Sequence, residues 1–314
     1  MKLDQVFFTR IIFFISFIIP AYIVSEYSQQ KDTFNYLEGI FKYEEDNMSI
    51  FSRVYFFTGF ITYLDGLTSL NGVQVMHLFI IFIIGIFLSR LINTPLEGVF
   101  LLTLSLSPLI SDNYRGVIRQ GFGFSLILIG LLTDKKFIRY ALFSAGLFIH
   151  NILILPLAAV LVSFSFQKVA NLTNLKDSQK TPLYFLFSFI ACLFIFMAIY
   201  LQIFSATNLN TAGIDTAKSG LDFVFFLGFL SLMFIFSGLH KYKWFYESVF
   251  FLFIFLTTYF LLTGSARLLM VGMPFIIMFI LNIKEPETKY FFLGLFLLHS
   301  IIRLFMNPGN FIAI

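Results

Sequence analysis

The chain has 314 residues, 59% of them hydrophobic and 12% charged, with a mean hydropathy of +0.89 and a formal net charge of +4. Those values exclude a water-soluble domain and call for an all-α, polytopic membrane protein built as one integral membrane domain over residues 1–314. No nucleic-acid partner is expected.

The first apolar run, residues 6–24, is long for a signal-peptide core and lacks a small-residue cleavage site, so it reads as a retained first helix. Residues 25–72 are the one long polar connection. They carry Glu26, Asp32, Glu38, Glu44, Glu45, Asp46 and Asp65 among Tyr27, Tyr36, Tyr43, Tyr55 and Tyr63. Rings that pack on apolar sugar faces, beside carboxylates that accept hydroxyl protons, suit a sugar ligand. Within this loop, residues 54–64 are apolar but too short to span, and read as an in-plane or re-entrant helix.

Two further apolar runs, 73–92 and 96–110, lead to the stretch that carries the most chemistry, Ser111-Asp112-Asn113-Tyr114-Arg115-Gly116-Val117-Ile118-Arg119-Gln120-Gly121. Pro108 closes the helix before it, and Asp112 or Asn113 can cap the helix after it. Arg115 and Arg119 are four apart and share one helix face. An arginine at the centre of a membrane helix costs roughly 2.5–3.5 kcal/mol, less near the surface. Two together ask for a bound anion, and a helix N-terminus adds partial positive charge suited to phosphate. The alternative is a pair of arginines that anchor the helix among lipid headgroups.

The run 117–132 ends at the basic turn Asp134-Lys135-Lys136, and an apolar stretch of ambiguous length, 137–166, comes next. It is either one tilted helix or a hairpin of two short ones. Later runs are 183–204, 221–239, 249–262, 268–281 and 290–305, which brings the expected total to about nine to eleven membrane helices. Residues 205–220, rich in Asn, Thr and Gly, form a second outer loop. The single cysteine, Cys192, lies in an apolar run and forms no internal disulfide. The 47 phenylalanines read as lipid-facing filler.

Basic residues decide between one helix and a hairpin at 137–166. With Lys2 and Arg10 in the cytoplasm, Lys135, Lys136 and Arg139 return there after four crossings. A single crossing at 137–166 would put Lys168, Lys176, Lys180, Lys241, Lys243, Lys284 and Lys289 outside; a hairpin keeps all seven inside. The positive-inside rule favours the hairpin. Each arm then has about 14 residues, or roughly 20 Å of helix, with His150-Asn151 at the outer apex and inner loops at 132–139, 167–181 and 240–247. Arginines, the better bidentate partners of phosphate, fall at the outer helix ends.

No repeat, nucleotide-binding loop, dinucleotide fingerprint or metal-spaced His/Cys cluster is present in the sequence. Taken together, Arg115 through Arg119-Gln120-Gly121, the Asp134-Lys135-Lys136 turn and the helix end Phe148-Ile149-His150-Asn151 resemble the Wzy-type and EpsG-type polysaccharide polymerases of bacterial envelopes. Asp32-Thr33-Phe34-Asn35-Tyr36 resembles the family's outer-loop segment, and Gly264-Ser265-Ala266-Arg267 its late arginine. Ile149 and Ile152 depart from the pattern, since Phe commonly precedes the histidine and a small polar residue commonly stands where Ile152 does.

The resemblance implies a GT-C-like glycosyltransferase fold in the bacterial inner membrane, with the active site facing outward. It implies an enzyme that joins oligosaccharide units carried on undecaprenyl pyrophosphate. A length-regulating protein and a flippase are the partners it suggests, besides membrane lipid. A lipid pyrophosphate leaving group asks for charge neutralisation, which Arg115, Arg119, Arg267 and Arg303 can supply around one outward cavity with neither metal nor cofactor. The acceptor hydroxyl asks for a base, with His150, Asp32, Asp112 and the cluster Glu44, Glu45 and Asp46 as candidates. His150 could equally be a structural, hydrogen-bonded histidine. Gln120, Asn151 and Tyr36 complete the expected substrate contacts, and His77 and His299 fall toward the same side without an accompanying motif. An O-antigen-type ligase shares the donor chemistry, and a transporter of lipid-linked sugars is the alternative outside enzymology.

Overall fold

The computed structural model describes residues 3–27, 59–61, 63–64, 66–67, 71–107, 110–111, 118–200, 220–236, 238–259 and 265–306. Among these the regular structure is helical, with no strand. The helices are α1 (Leu3–Tyr27), α2 (Gly72–Leu91), α3 (Pro95–Leu106), α4 (Ile118–Leu132), α5 (Lys136–Ile149), α6 (Ile154–Leu172), α7 (Asp177–Tyr200), α8 (Gly220–Ile235), α9 (Phe245–Thr258), α10 (Ser265–Asn282) and α11 (Pro286–Met306). Short 3₁₀ turns cover Asn151–Leu153 and Leu239–Lys241. Four segments, Asp4–Ile23, Gly72–Leu91, Ile154–Leu172 and Asp177–Ile195, are long and apolar enough to cross a membrane. The expected in-plane helix at 54–64 falls mostly outside the described residues, as does the loop at 205–220.

Local chemistry sets the ends of these helices. Asn71 Oδ1 accepts from the Val73 amide at 2.9 Å while Gln74 Oε1 accepts from the Asn71 amide at 3.3 Å, a capping box that starts α2. Thr94 and Glu97 build a second box around Pro95, and the Glu97 carboxylate also accepts from the Asn93 amide at 2.7 Å. The turn from α2 to α3 is therefore tight. At the far end of α4, Arg139 donates to the carbonyls of Thr133 (2.6 Å) and Gly130 (3.2 Å), the latter also accepting the Thr133 amide at 3.3 Å, so a cation sits at the carbonyl end of the helix.

The chain divides into two compact units, residues 1–153 with 294–314 and residues 154–293. In the first, α1 runs antiparallel to α2. Arg10 Nε donates to the Ile92 carbonyl at 2.9 Å, Phe14 meets Phe82 edge-on at 5.4 Å, and Gly85 leaves room for the rings of Phe14 and Phe17. Phe79 of α2 touches Phe122 of α4, with ring centroids 5.5 Å apart. Helices α4 and α5 then pack antiparallel along a seam of small residues, Gly123, Gly130 and Gly146. A side chain at Gly130 would meet the Phe143 ring, and one at Gly146 would meet the Gly123 carbonyl, each at 2.9 Å.

In the second unit α9 is central and buried along nearly its whole length. Tyr184 of α7 donates to the Tyr246 carbonyl at 2.7 Å, with the two rings edge-on at 4.5 Å. Phe251 fills the space above Gly272 and stacks on Phe275 at 5.2 Å. Phe226 meets Phe255 at 5.3 Å.

Two expectations are corrected here. Phenylalanine is not only lipid-facing filler: Phe8, Phe137 and Phe194 are exposed, but Phe17, Phe226, Phe245, Phe250, Phe251 and Phe275 are fully buried. Lipid is as apolar as a side chain, so close packing and ring geometry, more than expulsion from water, hold membrane helices together. The expected inner loop at 167–181 is also mostly helix. Lys168 lies inside α6, α7 begins at Asp177, and the connection is only residues 173–176. The apolar stretch 137–166 does break into two helices, at His150, but the second has 19 residues.

Candidate functional site

Arg119 and Gln120 occupy the first turn of α4. Gln120 is fully buried and Arg119 is half-buried. Arg119 Nε is shielded from solvent and makes no hydrogen bond among the described residues. A guanidinium carries five donors and no acceptor, so this one keeps its capacity for an anion.

Gly123, one helical turn after Arg119, continues the same stripe of α4. A side-chain carbon at Gly123 would lie 2.5 Å from Leu153 Cδ1 and 3.5 Å from Ile149 Cβ. Those two residues bracket His150. The small-residue seam thus brings the Arg119 end of α4 to the break between α5 and the 3₁₀ turn.

His150 ends α5 in an extended conformation, φ −146° and ψ 124°. Its amide donates to the Gly146 carbonyl and its carbonyl accepts from the Leu153 amide, both at 3.0 Å. Its Nδ1 accepts from the Ile152 amide at 3.3 Å. An imidazole nitrogen that accepts is unprotonated, so a neutral His150 carries its proton on Nε2. In this tautomer Nε2 is a donor, which suits an anionic oxygen; to act as a base there, the ring must first give up that proton. The bond uses the backbone of residue 152, which is why an isoleucine there is compatible with the arrangement.

Arg303 is half-buried in the last turn of α11, one turn beyond the buried His299, within the segment that clusters with the first unit. Arg267 lies in the first turn of α10, in the second unit, and Asn151 opens the 3₁₀ turn after His150; for both only the backbone position is described. Asp32, Tyr36, Asp112 and Arg115 lie outside the described residues. Of the expected groups, the structure therefore brings Arg119, Gln120 and His150 to one end of one helix pair.

His77, which carries no motif in the sequence, is a buried polar group of the first unit. It sits in the second turn of α2, is 2% exposed, and its Nε2 has no hydrogen-bond partner among the described residues. Its only sequence signal was a histidine inside an apolar run. Among the described residues no three His, Cys, Asp or Glu side chains come together as a metal site.

Comparison of the chain with protein-family models, with curated proteins and with solved structures finds no match. The functional reading therefore rests on the residues of the site itself.

Proposed function

We propose that this protein is a polysaccharide repeat-unit polymerase, a multi-pass glycosyltransferase with a GT-C-like arrangement in the bacterial inner membrane. It takes oligosaccharides linked to undecaprenyl pyrophosphate and joins them at the outer face. The observation that carries this reading is the half-buried Arg119, whose shielded Nε has no partner among the described residues, at the end of the seam that leads to His150.

In the reaction the acceptor hydroxyl attacks the anomeric carbon of the growing chain. The bond from that carbon to the pyrophosphate oxygen breaks, and the oxygen leaves with the electron pair. Arg119 faces the charge that develops on the leaving pyrophosphate, and donors fixed in advance act there without reorganising. His150 Nε2–H adds a second donor, and the hydroxyl proton passes to a carboxylate, with Asp32 and Asp112 as the candidates. Gln120 orients the donor from the same turn of α4.

The test is the purified protein in detergent with a lipid-linked repeat unit, followed on a gel. A ladder of products is expected. Transfer of a single unit to a different acceptor would make the protein a ligase. Unchanged substrate, from protein shown to be folded, would overturn the enzymatic reading and leave transport of lipid-linked sugars.

A further inference from the structure

In the second unit, three connections are tied into one end. His240 Nδ1, in the connection from α8 to α9, is 3.2 Å from Thr181 Oγ1 at the start of α7, and its Nε2 is 3.7 Å from Asp177 Oδ1. Two residues on, the Tyr242 hydroxyl donates to the Glu285 carboxylate in the connection from α10 to α11. The α6–α7, α8–α9 and α10–α11 connections therefore share one face.

That face is strongly basic. Lys168, Lys176, Lys241, Lys243 and Lys284 are all exposed on it. Its acids are largely engaged: Asp177 lies 2.8 Å from Lys180, and Glu285 holds the Tyr242 hydroxyl. Glu287 sits in the first turn of α11, where the helix N-terminus offsets its charge. Lys243 Nζ stands 5.0 Å from the ring centre of Trp244, which limits where that ammonium can go. The opposite end of the unit carries Asp222 and the backbone of Arg267 among its described residues, so the described lysines are sorted to one end.

Next to the lysines comes a bare apolar belt. Leu172 is 74% exposed and Ile235 70% exposed, with Phe164, Val169 and Leu186 also uncovered. A row of ammonium groups bordering exposed hydrocarbon matches the boundary between phosphate headgroups and acyl chains, and a soluble acidic protein would leave that belt in water. We propose that this end of the second unit is a docking face for anionic phospholipid headgroups, held in shape by the His240 and Tyr242 contacts. The inference rests on the chain being a membrane protein and is independent of the polymerase reading.

The experiment measures phosphatidylglycerol and phosphatidylcholine binding to the full-length protein in detergent by native mass spectrometry. The comparison variant combines Lys241→Gln, Lys243→Gln and Lys284→Gln. The unmodified protein should prefer phosphatidylglycerol by tenfold or more, since each lysine near an anionic surface contributes about fivefold before screening. The combined variant should lose most of that preference and keep its melting temperature in phosphatidylcholine. The three Lys→Arg changes should retain the preference. Equal binding of the two lipids by the unmodified protein would overturn the proposal. So would full preference in the Gln variant, loss of preference in the Arg variant, or inorganic phosphate displacing the lipid at equal concentration.

Discussion

Gly123 and Leu153 lie so close that a methyl group added to the glycine would stand 2.5 Å from the leucine Cδ1, well inside contact distance. Leu153 ends the 3₁₀ turn that follows His150, and Gly123 is one turn from Arg119. Gly123→Ala should therefore force α4 away from the turn and pull Arg119 from His150. Overpacking of this kind typically costs about 1–3 kcal/mol. Product formation should fall more than the melting temperature suggests, because the site depends on this spacing. The double change Gly123→Ala with Leu153→Ala should recover part of the loss, as contacting residues couple. Equal activity for Gly123→Ala and the unmodified protein would show that the seam does not set the site.

His150→Asn separates the two jobs of the histidine. Asparagine Oδ1 can still accept the Ile152 amide, as Nδ1 does at 3.3 Å, so the end of α5 should stay capped. The Nε2 donor is gone. Thermal stability should change by less than about 1 kcal/mol, while turnover drops by on the order of 100-fold if Nε2 donates to the leaving group. Full turnover in His150→Asn would assign the residue a capping role alone.

Much of the fold was legible in run length. The apolar run 73–92 became Gly72–Leu91, and the break at His150 was foreseen because the lysines downstream needed two helices there. The end of α6 was not legible. Lys168 and Gln167 interrupt the apolar pattern, yet the helix continues to Leu172, since a lysine near a helix end lays its stem along apolar surface and carries its charge to the rim. The packing of phenylalanine was equally hidden. Phe7 is 62% exposed and Phe17 is fully buried on the same helix, and in lipid both surroundings are apolar. At the site, Arg119 and Gln120 stood out as polar groups opening an apolar helix. His77 did not, because nothing local to it in sequence says whether a buried histidine meets a partner.

The connection at His240 should report acid. Burial pushes His240 below its ordinary value, while Asp177 nearby works in the opposite direction and Lys180 and Lys241 add to the lowering. A base whose folded value is depressed favours the fold in its neutral form. Its contribution is complete above the unfolded value of about 6.5 and is lost as pH falls through the folded value. The melting temperature in detergent should therefore decline as the pH falls below about 6.5, and His240→Gln should flatten that decline. An identical slope in His240→Gln would place the acid sensitivity elsewhere.

Arg119→Lys is the sharpest test of the central turn. Lysine keeps the charge and reaches the membrane surface as well as arginine does, so a headgroup anchor should tolerate the exchange. It presents no planar fork, so two-point contact with a pyrophosphate is lost. Arg119 Nε is shielded and without a partner among the described residues, which is an unfavourable place for an anchor and a suitable one for an anion contact. Because charge grows on the leaving group only as its bond to the anomeric carbon breaks, the loss should fall on turnover more than on apparent substrate affinity. A drop on the order of 100-fold is expected. The measurement is product formation across substrate concentrations at matched protein abundance, with Arg119→Gln beside it. If lysine supports normal turnover while glutamine does not, positive charge alone suffices and no two-point contact is made; if both support normal turnover, Arg119 anchors its helix among the headgroups and the pyrophosphate is held elsewhere.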